Sequence, residues 1–127
     1  MKVIYTDKLP APVGPYSQAI QAGKLLFVSG LTGSDPETGK LQGETVGEQA
    51  RQSFENLGVI LKEAGASYEN VVKTTCFLAD MNDFQEFNKV YAEYFTVKPA
   101  RSCVAVRALP MNAMCEVEAI AYVEEIG

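Results

Sequence analysis

Apolar residues between 46 and 64 recur every three or four positions, which is the spacing of an amphipathic helix. Thr45 and Glu48 form a capping-box pair at its start, and Gly65 follows its last periodic residue. A stripe of aromatic residues predicts another helix from about residue 82 to residue 95. The sequence therefore predicts two amphipathic helices, each with one face available to cover a sheet.

The remaining hydrophobic segments have the composition of strands. A strand is predicted at 2–6, then a hairpin that turns near Gly23 and has its stronger strand at 24–29, then strands at 71–78, 101–108 and 114–124. The resulting order, β, β, β, α, β, α, β, β, predicts a single α+β domain over residues 1–127. Its mixed six-stranded sheet is expected to carry both helices on one face.

Side-chain alternation in the last two strands predicts which residues face the helices. Two helices cannot cover both faces of such a sheet, and the open face is expected to pack on another copy of the chain. The helix side is assigned the small residues Ser102, Val104, Val106, Cys115, Val117, Ala119, Ala121 and Val123. The open side is assigned Arg101, Cys103, Ala105, Arg107, Met114, Glu116, Glu118, Ile120 and Tyr122.

The amino-acid composition narrows the range of functions that the sequence predicts. The 127 residues include no histidine, which removes the commonest neutral-pH base and metal ligand, and we expect no metal and no cofactor. A net charge of −5 argues against a nucleic-acid partner, because proteins that bind nucleic acids usually carry a basic patch. The three separated cysteines suit a reducing compartment. With no long apolar run and no basic leader, a cytoplasmic protein without a membrane partner is expected.

Arg101 and Glu116 are the main chemical candidates. A guanidinium offers a rigid fork of donors that matches a carboxylate, and it stays charged at every relevant pH. An ion pair with Glu116 or Glu118 would also explain Arg101. Without histidine, the Glu116 carboxylate is the natural group to hold and activate water, although Glu118 competes for that role and a solvent-facing strand glutamate is equally compatible.

Five further residues are weaker candidates, each with a structural alternative. Cys103 is a possible nucleophile or, more simply, a half-buried thiol, since no histidine can activate it. Tyr16 could line a cleft or cover the edge of the core. Ser29 and Gly30 could let a ligand approach the backbone or could simply end a strand. Asn88 could contact a ligand or bond to a loop backbone.

Several segments resemble the RidA/YjgF family of reactive intermediate deaminases, whose older names are endoribonuclease and translation inhibitor. The resemblance covers nearly the whole chain. The matching segments are GPYSQA (14–19), VSG (28–30), QARQSFENL (49–57), VVKTTCFLADMNDFQEFNKVYAEYF (71–95) and PARSCVAVRALPMNAMCEVEAIA (99–121).

The resemblance implies a chorismate-mutase-like α+β fold that assembles as a homotrimer with clefts between subunits. The implied activity is hydrolysis of 2-imino acids and their 2-enamino tautomers, such as 2-aminoacrylate, to 2-oxo acids and ammonia. Such imines arise from pyridoxal-phosphate dehydratases, so detoxification and support of isoleucine synthesis are implied roles. A carboxylate-binding regulatory protein and a ribonuclease remain alternative functions.

Family roles can be placed on matching residues of this chain. The resemblance implies that Arg101 binds the substrate carboxylate, that Glu116 positions water and that Tyr16 lines the cleft. The other implied cleft residues are Ser29, Gly30, Asn88 and the backbone at Cys103. Leu31 departs from the family, which usually has glutamine there, and this change puts the substrate range in question.

Overall fold

A computed structural model describes residues 1–124, so residues 125–127, the end of the predicted domain, lie outside the described part. The chain contains six strands and two α-helices in the predicted order. They are β1 (Lys2–Ile4), β2 (Ala19–Ala22), β3 (Leu25–Leu31), α1 (Val46–Glu63), β4 (Val71–Leu78), α2 (Phe84–Tyr94), β5 (Ala100–Ala105) and β6 (Cys115–Tyr122).

The strands form one mixed sheet in the order β1-β2-β3-β6-β4-β5. The β4–β5 pair is parallel because α2 connects those strands as a crossover, and the other pairs are antiparallel. Both helices lie on the same face of the sheet and bury one side of it. The predicted fold class, a six-stranded mixed sheet covered by two helices, is confirmed.

The predicted start of α1 is also confirmed. The Thr45 side chain accepts a hydrogen bond from the Glu48 amide, and the Glu48 carboxylate accepts one from the Thr45 amide. The second helix starts two residues later than expected, because residues Met81–Asp83 form a 3₁₀ turn before α2. Of the last two strands, β5 begins one residue earlier and ends three residues earlier than predicted, and β6 is shorter at both ends.

The core between the helices and the sheet is built around Phe54 of α1. Its ring contacts aromatic rings of α2 and of the residue that follows it at centroid distances of 5.3–5.8 Å, mostly edge to face. Such contacts stabilise the packing beyond the effect of burying apolar surface, so they fix how the two helices pack. The predicted stripe of α2 supplies these rings, namely Phe87, Tyr91, Tyr94 and Phe95.

The predicted facing of β5 is wrong. Arg101 pairs with Thr74, and Cys103 pairs with Cys76, two core residues of β4, so Arg101 and Cys103 lie on the helix-covered face. Ser102 and Val104 consequently lie on the open face, where both are exposed. The apolar character of these residues predicted the wrong face. The register of β5, an edge strand, is set by its backbone pairing with β4 and decides which side chains face the helices. The predicted facing of β6 is correct, because Cys115, Val117, Ala119, Ala121 and Val123 are all buried.

The open face carries apolar side chains from all six strands. Its members are Val3, Ile20, Leu25, Phe27, Phe77, Val104, Ile120 and Tyr122, aligned by the strand registers. Half of the sheet surface therefore presents hydrophobic groups that the chain itself does not cover. Among residues 1–124, no helix has the length and hydrophobicity needed to span a bilayer.

Candidate functional site

Arg101 is held against α2 by a hydrogen bond and by ring stacking. Its Nη1 donates to Asn88 Oδ1 at 2.7 Å. The guanidinium carbon lies 4.6 Å from the centroid of the Tyr91 ring and 5.5 Å from that of Phe84. Cation–π attraction and one amide acceptor therefore orient the fork without neutralising its charge.

No carboxylate of the described chain pairs with Arg101. Within residues 1–124 the ion pair closer than 4 Å is Arg51–Glu93, at 3.0 Å. Arg101 lines an open groove of about 560 Å³ together with Asn88, Tyr91, Ala92, Phe95, Thr96, Lys98 and Pro99, and this set contains no acidic residue. The alternative of an ion pair with Glu116 or Glu118 is not realised in the described chain, and the guanidinium remains available to an anion.

Glu116 lies on the opposite, open face of the sheet. It lines a cavity of about 240 Å³ whose wall includes Tyr16, Ser29 and Gly30. A Cβ atom at Gly30 would come within 2.7 Å of Glu116 Oε1, so glycine at position 30 is what lets the carboxylate lie against the strand. Burial, with a smaller contribution from the charge of Glu118, raises the pKa of the Glu116 carboxyl above its usual range.

The predicted cleft residues of the N-terminal segment do gather around Glu116. Ser29 Oγ donates to the Ser17 carbonyl at 2.6 Å, and the Ser29 amide donates to the Gln18 carbonyl at 3.0 Å. These bonds fasten the irregular loop before β2 to the end of β3. The Tyr16 ring stands on that loop, 53% exposed, at the cavity wall. Ser29 therefore has a structural role as well as a place in the cavity wall.

Cys103 lies beside Arg101 on the helix side, where it packs against the core. Burial raises the pKa of its thiol, and the positive charge of Arg101 offsets this only in part. Burial also raises the pKa of Cys76 and Cys115, in each case to about 12. These thiols stay protonated at neutral pH, which favours a packing role for Cys103 over nucleophilic attack.

The chain presents two half-sites. Arg101, Asn88 and Cys103 lie on the helix side near β5, whereas Glu116, Tyr16, Ser29 and Gly30 lie on the open side near β3 and β6. Arg101 and Glu116 are two strands and three register positions apart, which corresponds to about 10 Å across the sheet and about 10 Å along it. One copy of the chain cannot bring both groups to the same small ligand.

Three residues that hold Arg101 in position or support its neighbours were not identified as site residues from the sequence. Phe84 and Tyr91 stack on Arg101, and Thr74 bonds to the Tyr91 hydroxyl at 2.7 Å. A usable signal exists for the first two, because Phe84, Asn88 and Tyr91 follow the helical i, i+4, i+7 spacing and so share one face of α2. Thr74 is fully buried in β4, and nothing in the sequence distinguishes it from an ordinary strand threonine.

The described residues contain no cluster of three or more His, Cys, Asp or Glu side chains that could hold a metal ion. Among the described residues of the two half-sites, the side chains available for chemistry are the unpaired Arg101 guanidinium, the Glu116 carboxyl with its raised pKa, and the Tyr16 hydroxyl. Such a set can bind a small anion and handle a proton or a water molecule.

Comparisons with known proteins identify the family of this chain. A family model described as Endoribonuclease L-PSP matches residues 6–123. Arabidopsis thaliana Reactive Intermediate Deaminase A, chloroplastic, is 53% identical over 121 residues, which cover 94% of this chain and 65% of that protein. The Mus musculus 2-iminobutanoate/2-iminopropanoate deaminase is 51% identical over 121 residues, which cover 94% of this chain and 90% of that protein.

Solved structures share the fold over almost the whole chain. E. coli TdcF with bound serine superposes with a TM-score of 0.90 at 40% identity, covering 96% of this chain and 98% of that one. Yeast Mmf1 superposes with a TM-score of 0.92 at 42% identity, covering 97% of this chain and 98% of that one. From the family model, these identities and the shared fold, we conclude that the chain belongs to the RidA/YjgF family, described by its model as Endoribonuclease L-PSP.

Proposed function

We propose that the protein is a 2-iminobutanoate/2-iminopropanoate deaminase, a hydrolase that converts reactive 2-imino and 2-enamino acids to 2-oxo acids and ammonia. The observation that carries this proposal is the unpaired Arg101 fork, oriented by Asn88 and Tyr91 in a groove without acidic residues. Relatives at 46–53% identity bear the names of imine or reactive-intermediate deaminases. TdcF, which shares the fold, was solved with serine, a small molecule that carries a carboxylate.

The mechanism follows from the chemistry of the two half-sites. Arg101 binds the substrate carboxylate in bidentate fashion and so fixes the imine carbon. Glu116 accepts a proton from a water molecule as that water adds to the carbon, which gives a carbinolamine. Glu116 returns that proton to the nitrogen, the carbinolamine hydroxyl gives up its own proton to the Glu116 carboxylate as the C–N bond breaks, and ammonia and a 2-oxo acid are released. The imine is already electrophilic, so positioning and one proton acceptor suffice, without cofactor, metal or covalent intermediate.

The same proposal includes a site shared between copies of the chain in a homotrimer. The support is geometric, because Arg101 and Glu116 leave opposite faces of one sheet, and the open face is apolar enough to be an interface. Each cleft would then combine the Arg101 half-site of one copy with the Glu116 half-site of the next.

A direct test couples the purified protein to a serine or threonine dehydratase and follows the decay of the imine. We expect wild type to accelerate loss of the imine and Arg101→Ala to leave the uncatalysed rate. Equal acceleration by both proteins would refute the proposal. Action in the cytoplasm, detoxification and support of isoleucine synthesis stay predictions that this assay does not address.

Two other functions make different predictions. A regulatory carboxylate-binding protein would bind 2-oxo or amino acids unchanged in Glu116→Gln and would show no turnover in wild type. A ribonuclease would bind RNA in a salt-sensitive way and lose cleavage in Arg101→Ala. The net charge of −5 and the lack of histidine both weigh against the ribonuclease.

A further inference from the structure

Cys76 and Cys103 lie directly opposite each other on neighbouring strands. Cys76 of β4 pairs in register with Cys103 of β5, and both side chains lie on the helix-covered face of the sheet. Neighbouring strands are about 4.8 Å apart, and the Cα atoms of a disulfide are about 4.4–6.8 Å apart. Both thiols are free. The backbone therefore already holds this pair at a distance that a disulfide bond can span.

The strand that carries Cys103 is the one better able to make the small movement that closing such a bond requires. β5 is an edge strand and pairs with β4 alone. β4 lies between β5 and β6, and its Cys76 side chain is fully buried. A strand held on one side shifts more easily than one held on both, because fewer contacts oppose the shift. Cys103 is therefore the movable partner and Cys76 the fixed one.

The third cysteine is not placed to compete for this bond. Cys115 of β6 pairs with Leu78, two residues beyond Cys76 on β4, so Cys115 and Cys76 are diagonal neighbours. Cα atoms at such positions are about 7–8 Å apart, which a disulfide does not span without backbone movement. β6 is held on both sides, by β3 and β4, and Cys115 is fully buried. The register thus singles out one pair among the three cysteines.

Cys103 is the cysteine that a small oxidant reaches first. Its side chain is half-buried, whereas Cys76 and Cys115 are fully buried. Burial raises the pKa of the Cys103 thiol, but the positive charge of Arg101 on the same strand opposes that rise and favours the thiolate. The thiolate is the form that reacts with peroxides. Since it is the minor form at neutral pH, the reaction is expected to be slow and to need sustained exposure.

We propose that Cys76 and Cys103 form a redox site for a small hydroperoxide such as hydrogen peroxide, with Cys103 as the oxidised cysteine and Cys76 as the resolving one. The Cys103 sulfur attacks the peroxide, the O–O bond breaks, and a sulfenic acid forms as one water leaves. The Cys76 sulfur then attacks the Cys103 sulfur, the S–O bond breaks, and a disulfide forms as a second water leaves. Two thiols are oxidised, one peroxide is reduced, and no other reactant takes part.

This site goes beyond the proposed deaminase function and keeps oxidation beside Arg101 reversible. A sulfenic acid that meets no second thiol is oxidised further to a sulfinic acid, which thiol reagents do not reduce. A sulfinate at Cys103 is an anion that would pair with the Arg101 guanidinium permanently. Formation of the disulfide with Cys76 stops that progress, and a reducing agent then restores both thiols.

Peroxide treatment of the reduced protein, followed by thiol counting after denaturation and by peptide mapping, tests the site. Wild type should fall from three free thiols to one, with the Cys76 and Cys103 peptides joined, and dithiothreitol should restore all three. Cys76→Ala should form no disulfide, and its Cys103 should gain two oxygen atoms that dithiothreitol does not remove. Cys115→Ala is the matched control, because it removes an equally buried thiol and should leave the Cys76–Cys103 disulfide unchanged.

The proposal is overturned if wild type keeps all three thiols, or if Cys115 or a second copy of the chain takes part in the disulfide. It is also overturned if Cys103 of wild type gains two oxygen atoms as readily as Cys103 of Cys76→Ala. Mapping of wild type alone decides the first two cases, so the test holds even if Cys76→Ala does not fold. None of these measurements uses deaminase activity, so failure of the redox site and failure of the proposed function are distinguishable.

Discussion

The side chains of Arg101 and Glu116 leave the same sheet on opposite faces. Arg101 pairs with Thr74 on the helix side, whereas Glu116 pairs with Phe77 on the open side. The two groups that the proposed mechanism needs therefore cannot serve one substrate within a single copy. This relationship connects the catalytic proposal to assembly, because under the proposed mechanism a second copy has to supply the missing half of each cleft.

Replacing Arg101 by lysine tests the fork rather than the charge. Lysine keeps a cation but loses the bidentate geometry, and each charge-assisted hydrogen bond contributes about 1.5–3 kcal/mol. We expect kcat/KM to fall about tenfold to a hundredfold, since about 1.4 kcal/mol corresponds to a tenfold change. Steady-state kinetics measure this loss, and Arg107→Lys, at an exposed arginine beyond β5, is the control. Activity of Arg101→Lys near the wild-type value would contradict the clamp.

The pH dependence of activity reports on Glu116. The carboxyl must be ionised to accept a proton from water, and burial raises its pKa. We therefore expect kcat/KM to decline with falling pH from a point above the ordinary glutamate value of about 4.3. In Glu116→Gln the residual activity should be low and should lack this decline. A wild-type profile that stays flat to pH 4.5 would argue against Glu116 as the base.

The same raised pKa predicts how Glu116→Gln changes stability. A group whose folded-state pKa is raised contributes stability that is present below its unfolded-state pKa and is lost as pH rises through the folded-state value. Glutamine never ionises, so the variant should be at least as stable as wild type at pH 7 and should gain no such advantage at low pH. Urea unfolding at pH 4 and pH 7 measures the difference. A variant clearly less stable than wild type at pH 7 would show that the carboxylate has a stabilising partner.

Tyr91 contributes both a ring and a hydroxyl, and Tyr91→Phe separates them. The ring that stacks on Arg101 stays, whereas Thr74, which is fully buried, loses its partner at 2.7 Å. We expect a loss of about 1–3 kcal/mol in the free energy of unfolding, the usual cost of an unsatisfied buried group, with kcat/KM little changed. Tyr94→Phe, which removes a surface bond to Glu55, should cost less than about 1 kcal/mol. Equal costs for the two variants would contradict the role of the buried pair.

Cys103→Ala tests whether the thiol next to Arg101 takes part in chemistry. Burial raises the pKa of that thiol, so we expect the variant to keep most of its activity. Removal of a true nucleophile would instead lower kcat on the order of a thousandfold or more. Alkylation at pH 7.5 provides a second measurement, in which the folded protein should react slowly and the denatured chain should react at all three free cysteines.

The sequence predicts the helices and strands and names most residues of the candidate site. It does not predict that those residues are divided between the two faces of the sheet. Capping at Thr45, the periodicity of α1 and the β-branched run of β4 are local signals, and the structure confirms them. The facing of Arg101 depends on the register between β5 and β4, which is a long-range property of the fold. An edge strand with small side chains on both faces fits either register by composition, so the alternation of residues could not decide it.

The family resemblance named Glu116, Tyr16, Ser29 and Gly30 as cleft residues, and the structure brings them to one cavity, with Glu116 on β6, Ser29 and Gly30 on β3 and Tyr16 on the loop before β2. The stacking of Phe84 and Tyr91 on Arg101 is a different case. Those rings were assigned to the core stripe of α2, and their contact with a cation on β5 depends on how closely the helix packs on the edge of the sheet. Packing distances of that kind are not encoded in the spacing of one helix.

The central claim is that each reacting site combines Arg101 of one copy with Glu116 of another, and subunit mixing tests it most directly. Arg101→Ala and Glu116→Gln, each inactive alone, are mixed in equal amounts, unfolded and refolded together. Random trimers should recover about a quarter of the wild-type activity, because three quarters of them contain one intact site out of three. Mixed trimers that are demonstrably formed, for example by a mass tag on one variant, and that remain inactive would contradict the shared site.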